Sequence, residues 1–152
     1  MAYWLMKSEP DVYGIDHLQR DGSTLWDGIR NYQARNFMRS MQIGDRAFFY
    51  HSNTKPPGIV GLMEVVETEI VDPSQFDPNS KYFDPAASLQ KPRWDCCRLR
   101  YLRHFQQLLS LDALRENFSP EQLGVVKRGN RLSILPVEPS SAERLLELLE
   151  SP

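Results

Sequence analysis

The run from residue 59 to 71, IVGLMEVVETEIV, is dense in β-branched residues and longer than a strand that stays straight. Val, Ile and Thr lose rotamer freedom in a helix and pack well on a pleated surface, so the run reads as a strand. A strand of that length in a small domain bends, as barrel strands do. Residues 46–51, RAFFYH, read as a central strand beside it. Residues 3–7 read as a first buried strand, stopped by Pro10, which cannot donate to a ladder. Residues 94–103 alternate bulky and basic side chains at the period of a half-exposed strand, and residues 132–137 read as the last strand.

Helical spacing marks Asp11 or Tyr13 to residue 20, and then residues 32–41, 111–117, 121–123 and 140–149. In the last of these Ser140 or Ser141 is expected to cap, with Leu145, Leu146, Leu148 and Leu149 packing inward. Residues 72–92 are rich in Pro, Asp and Ser without periodicity. They read as a long irregular loop, which in a compact domain is often a binding element. Strands outnumber helices and no regular strand–helix alternation appears. The predicted fold is therefore mixed α/β (α+β), a small, mainly antiparallel β-barrel flanked by short helices. With 152 residues, one domain over 1–152 is expected.

Composition removes several function classes. No apolar run approaches the roughly 20 residues that span a bilayer, and acidic residues come too early for a signal peptide, so a cytoplasmic protein is expected. Cys96 and Cys97 are adjacent, with no third cysteine and no metal-type spacing; they read as structural thiols on alternating faces of a strand. Net charge is only −2, which gives no bulk attraction to nucleic acid. Residues 81–131 nevertheless carry ten Lys/Arg against five Asp/Glu. That excess reads either as a basic face for phosphates or as a solvated strand exterior.

The segment Trp26-Asp27-Gly28-Ile29-Arg30-Asn31-Tyr32-Gln33-Ala34-Arg35-Asn36 does not read as core. A core helix is apolar on one face, whereas here aromatics crowd beside planar hydrogen-bonding groups. Such a set suits a flat polar ligand: a nucleobase stacks for roughly 1–3 kcal/mol and offers donors and acceptors at its edge. Lys7-Ser8-Glu9-Pro10, directly after the apolar Tyr3-Trp4-Leu5-Met6, reads as its neighbour around one site. Trp26 is the leading wall. Trp94, after Lys91-Pro92-Arg93, is either a second wall or a residue that closes the barrel. Glu9 either accepts from a base amine or pairs with Arg30 or Arg35. Asn31 either meets a base edge or caps the helix that follows.

Signatures of common catalytic folds are missing: no P-loop, G-x-G-x-x-G, G-x-S-x-G or H-E-x-x-H. His17, His51 and His104 are scattered, and the adjacent strand residues His51 and Ser52 point to opposite faces. No catalytic residue, metal ligand or cofactor is expected.

The motifs Tyr3 to Pro10 and Leu25 to Asn36 resemble the opening motifs of the EVE domain family. Phe48-Phe49-Tyr50-His51-Ser52, Pro56-Pro57-Gly58-Ile59-Val60-Gly61, Lys91-Pro92-Arg93-Trp94 and Arg128-Gly129-Asn130-Arg131-Leu132-Ser133 resemble its later ones, in order, as far as Pro136. The family is similar in fold to the PUA and YTH domains. The resemblance implies a PUA-like pseudobarrel that binds a modified nucleobase of DNA or RNA without enzymatic turnover. The slot would be walled by Trp26 with Trp94 or His51, and Lys7, Ser8, Asn31 and Ser52 would touch the base edge. Ile29, Arg30, Arg128 and Ser133 complete the expected base site; Arg35, Lys55, Lys91, Arg93 and Arg131 are the expected phosphate contacts. A monomer with no membrane contact is expected. The alternatives are a PUA-like nuclease or base-processing enzyme, and a binder of a free small metabolite.

Overall fold

The computed structural model describes residues 1–150. The chain runs β1 (Tyr3–Ser8), α1 (Pro10–Tyr13), α2 (Ile15–Asp21), β2 (Ser23–Leu25), α3 (Tyr32–Ser40), β3 (Arg46–His51) and β4 (Gly58–Val71). It continues through β5 (Asp95–Ser110), α4 (Leu111–Asn117), β6 (Ile134–Val137) and α5 (Pro139–Glu150), with single 3-10 turns at Pro73–Phe76 and Gly124–Val126. The strands form one sheet in the order β2-β5-β4-β3-β1-β6. β1 and β3 are parallel, in register from Tyr3 beside Arg46 to Ser8 beside His51. The other neighbours are antiparallel.

The two-residue period of the strands supplies two cores, one on each face. Trp4, Met6, Ala47 and Phe49 join the first core, under α2 and α3. Leu5, Phe48 and Tyr50 join the second, with Leu114 of α4 and Leu145 and Leu149 of α5. α2 docks closely on the sheet because Gly61 has no side chain: a Cβ there would lie 2.6 Å from Ile15 Cδ1. β4 bends as expected, with four register shifts along its pairing with β5. The fold is the predicted mixed α/β class, a six-stranded bent sheet with short helices, but barrel-like only loosely. Its pairing is linear, and among the described residues no ladder joins β2 to β6. No described helix is long and apolar enough to cross a membrane.

Several elements differ from the sequence reading. β5 extends to Ser110 instead of stopping at Arg103, because pairing with the start of β4 resumes at Leu109 and Ser110 beyond an irregularity that takes in the polar Gln106-Gln107 stretch. β2 was not expected; it is three residues held by Leu99 and its neighbours. Residues 121–123 are not helical. Ser119 and Gln122 bond each other across a turn instead. The last helix opens on Pro139, so Ser141 lies within its first turn, where its Oγ donates to Gln122 O at 2.6 Å. Leu148 is exposed, unlike Leu145 and Leu149. Cys96 and Cys97 are both buried in the first core, where loss of hydration pushes each thiol up to about 12.

Candidate functional site

Parallel pairing brings the C-terminal ends of β1 and β3 to the same end of the sheet. A cleft of about 780 Å³ opens there, within the range of small-molecule sites. Lys7, Ser8 and Glu9 line it from the end of β1, Val12 and Tyr13 from α1, and Ser52 from just past β3. The segment from Thr24 to Arg30, then Lys81 and Tyr82 of the long loop, and Arg131 and Ser133 before β6, complete the lining. The two polar segments singled out in the sequence are thus neighbours around one opening.

Trp26 forms part of the floor. Its N–H donates to Cys97 O at 2.8 Å, continuing the β2–β5 pairing, and its indole meets Phe49 edge-on at 5.4 Å. Only 7% of Trp26 is exposed, so most of the ring serves the core and a limited surface faces the cleft. Ile29 is similarly buried. Between them Gly28 has φ +78°, and a Cβ on it would stand 2.6 Å from the Tyr82 ring. Glycine is what lets Tyr82 lie against this backbone.

Arg30 is scaffold. Its Nη1 donates to Ile29 O (2.8 Å) and Asp72 Oδ2 (3.0 Å), and its Nε to Tyr82 O (3.0 Å). Its Nη2 donates to Tyr82 O (2.6 Å) and Ser74 Oγ (3.2 Å). A guanidinium has five N–H donors, so none is left for a ligand. Asp72 is fully buried and also accepts from Gly28 N at 2.9 Å and from Ser74 N and Oγ. Arg30 and Asp72 therefore pin the long loop to the Trp26–Arg30 segment. Buried Gln75 pins its other end, donating to Asp72 O and Trp94 O and accepting from the backbone N–H groups of Arg93 and Trp94.

Trp94 lies outside the cleft. It is 5% exposed, stacked on Tyr32 at 4.9 Å, and donates Nε1 to Asp84 Oδ2 at 2.7 Å. The sequence allows Trp94 as a second wall or as a residue that closes the barrel; the packing gives it a different place, fastening the long loop through Asp84 and Gln75. The aromatic that the loop does supply is Tyr82, which sequence reasoning missed. The pairing of a positive-φ glycine with a distant tyrosine leaves no local pattern to read. Tyr13 and Asp27 were likewise not singled out as site residues.

The remaining expected residues divide sharply. Lys7, Ser8, Ser52 and Ser133 line the cleft, as does Arg131. Asn31 does not: its Oδ1 accepts from Ala34 N at 3.0 Å and caps α3. His51 Nε2 accepts from Ile15 N at 3.1 Å, holding the start of α2, and its ring stands on Phe49 rather than in the cleft. Burial first, and then His104, pushes the His51 pKa down against the pull of Asp16. Arg35 donates to Arg93 O and covers the Tyr32 ring at 4.7 Å. Arg93 donates to Tyr32 Oη and sits 3.5 Å from Asp84. Lys55, Lys91 and Arg128 are exposed outside the cleft. Glu9 pairs with neither Arg30 nor Arg35; its Oε1 accepts from Asn53 at 3.4 Å.

Charge is arranged differently from its count. The basic excess along β5 is largely neutralised: Arg98 pairs with Glu67 (3.1 Å), Arg100 with Glu64 (2.5 Å) and Arg103 with Glu150. These side chains are a solvated strand exterior. Among the described residues the lining cations Lys7, Lys81 and Arg131 form no ion pair, nor do Lys127 and Arg128 in the adjoining turn. Loss of hydration pushes the Lys7 pKa down, which marks a cation short of counter-charge. The Asp27 carboxyl is pushed up by burial and then by the nearby Asp72 charge. Among the described residues no group of three or more His, Cys, Asp or Glu is placed to hold a metal.

Residues 2–148 match the EVE domain family model. The chain is 38% identical to rat (Rattus norvegicus) thymocyte nuclear protein 1 over 98% of its own length and 74% of the relative's. A Pseudomonas syringae protein of known crystal structure is 46% identical, with a TM-score of 0.93 over 97% of this chain and 99% of that one. The crystal structure of human THYN1 protein in complex with 5-methylcytosine-containing DNA superimposes with a TM-score of 0.93 at 36% identity, covering 100% of this chain and 99% of that one.

Proposed function

This chain belongs to the EVE domain family, and on that premise we propose that it binds DNA carrying a modified base, without turnover, by taking the base into the cleft at the ends of β1 and β3. The observation that carries this reading is the cleft itself: an indole in its floor, donors along its sides and three cations that form no ion pair among the described residues. A base drawn from a duplex costs a few kcal/mol to unstack and unpair, and the cleft offers stacking surface and edge contacts in return. Lys81, Arg131, Lys127 and Arg128, which form no ion pair among the described residues, would neutralise the flanking phosphates. The crystallised DNA complex of the human relative supports 5-methylcytosine as the first modification to test. The protein is read as a cytoplasmic monomer of one domain.

The test is titration of fluorescent duplexes that differ only in one 5-methyl group on cytosine. Tighter binding of the methylated duplex, weakening with salt, is expected. Trp26→Ala, compared at equal folded fraction, should bind about 1–3 kcal/mol more weakly. Equal affinity for both duplexes, or affinity independent of salt, defeats the reading; the latter would favour a free metabolite, which releases no counterions.

A further inference from the structure

The polar groups that line the cleft are mostly committed already. Ser8 Oγ donates to Tyr13 O at 2.6 Å, Tyr13 Oη to Asp21 at 2.8 Å and Thr24 Oγ1 to Leu25 O at 3.4 Å. Glu9 is engaged by Asn53, and Arg30 has spent every donor. What remains is Lys7, Lys81 and Arg131, which only donate, the hydroxyls of Ser52, Tyr82 and Ser133, which do either, and the carboxyl of Asp27.

Of the two lining carboxylates, Asp27 is thus the one that takes no hydrogen bond from another described residue, whereas Glu9 accepts at one oxygen from Asn53. Asp27 directly follows the indole of Trp26, and its carboxyl takes only its own backbone N–H. The burial and Asp72 charge that raise its pKa also mean that a donor arriving from a ligand is favoured there. Among base edges, exocyclic amines and ring N–H groups call for such an acceptor, and carboxylates accept from the cytosine 4-amine in this way.

We propose that Asp27 selects a 4-aminopyrimidine: its carboxylate, beside Trp26, accepts from the exocyclic amine of a cytosine-type base, so that the cleft rejects thymine and uracil. This rests on the reading of the cleft as a base site. Thymine and 5-methylcytosine carry the same methyl group and differ at C4, where one has a carbonyl oxygen and the other an amine. A carbonyl placed against the Asp27 carboxylate meets a second acceptor, and neither finds a hydrogen. The donors Lys7, Ser52 and Ser133 remain for the ring carbonyl that both bases share.

The experiment uses one oligonucleotide duplex with 5-methylcytosine or thymine opposite an abasic site, so that neither base is paired and extrusion costs the same. The full chain should prefer 5-methylcytosine by roughly tenfold or more, the lower part of what one base contact discriminates. Asp27→Asn, whose amide can turn its NH2 toward a carbonyl, should lose that preference or invert it, and Asp27→Ala should lose it. Because the Asp27 carboxyl takes no hydrogen bond from another described residue and its charge is disfavoured beside Asp72, both variants are expected to melt no lower than the parent, and the ratio cancels any general change in phosphate attraction. An unchanged ratio in the two variants, or no preference in the parent, overturns the role of Asp27 while leaving base binding intact. Failure of the parent to bind either duplex overturns the base site itself.

Discussion

Asp45 shows how one buried carboxylate organises a terminus. It is 4% exposed and accepts from Ala2 N, Gln42 N and Trp4 Nε1, each at 3.0 Å. Burial alone would raise its pKa, but these hydrogen bonds outweigh that and hold it below the ordinary carboxylate range. A depressed folded pKa stabilises above the unfolded value, about 3.9, and that contribution is lost as pH falls through the folded one. Asp45→Asn should therefore cost about 1–3 kcal/mol near pH 7 and flatten the loss of stability between pH 5 and pH 2. Urea melts of both proteins across that range check this, and parallel pH profiles would dispose of it. The same accounting of donors and acceptors separates Arg30 from Lys7. Both are basic residues at the cleft, yet one makes five internal hydrogen bonds and the other no ion pair among the described residues.

Among elements, the loop between β4 and β5 decides the shape of the site. Composition marks it as irregular, but its anchoring by Asp72, Gln75 and Arg30 makes it a fixed arm. Tyr82 reaches the cleft only because Gly28 leaves room and adopts φ +78°. Gly28→Ala adds a Cβ 2.6 Å from the Tyr82 ring, in a backbone conformation that L side chains rarely adopt, so Tyr82 must leave. The expected loss is about 1–3 kcal/mol in stability, together with faster proteolytic cleavage between Asp72 and Trp94 and weaker ligand binding. A variant that keeps parental protease resistance would show that the loop does not depend on this contact.

Across the molecule, a net charge of −2 leaves binding to rest on a few local cations rather than on a general field. Arg131→Gln should lower the salt dependence of DNA affinity by about one unit of slope, whereas Arg98→Gln, which removes a cation already paired with Glu67, should leave it unaltered. Anisotropy titrations at several salt concentrations distinguish them; equal slopes for the two variants would contradict the charge map drawn from the ion pairs. The aromatic, apolar run of residues 46–51, the alternation in residues 94–103 and the β-branched run of β4 made the mixed α/β class and most strands legible, because propensity and alternation act between near neighbours. Lys7, Ser8 and Trp26 stood out for a similar reason: their residue types sit oddly beside apolar runs. Tertiary structure alone decided that Trp94 closes a loop, that Asn31 caps a helix, and that Tyr82 faces the cleft. It also decided that Arg30 is spent on Tyr82, 52 residues away. Residue type records how many hydrogen bonds a side chain can make, but only the folded chain assigns them to partners.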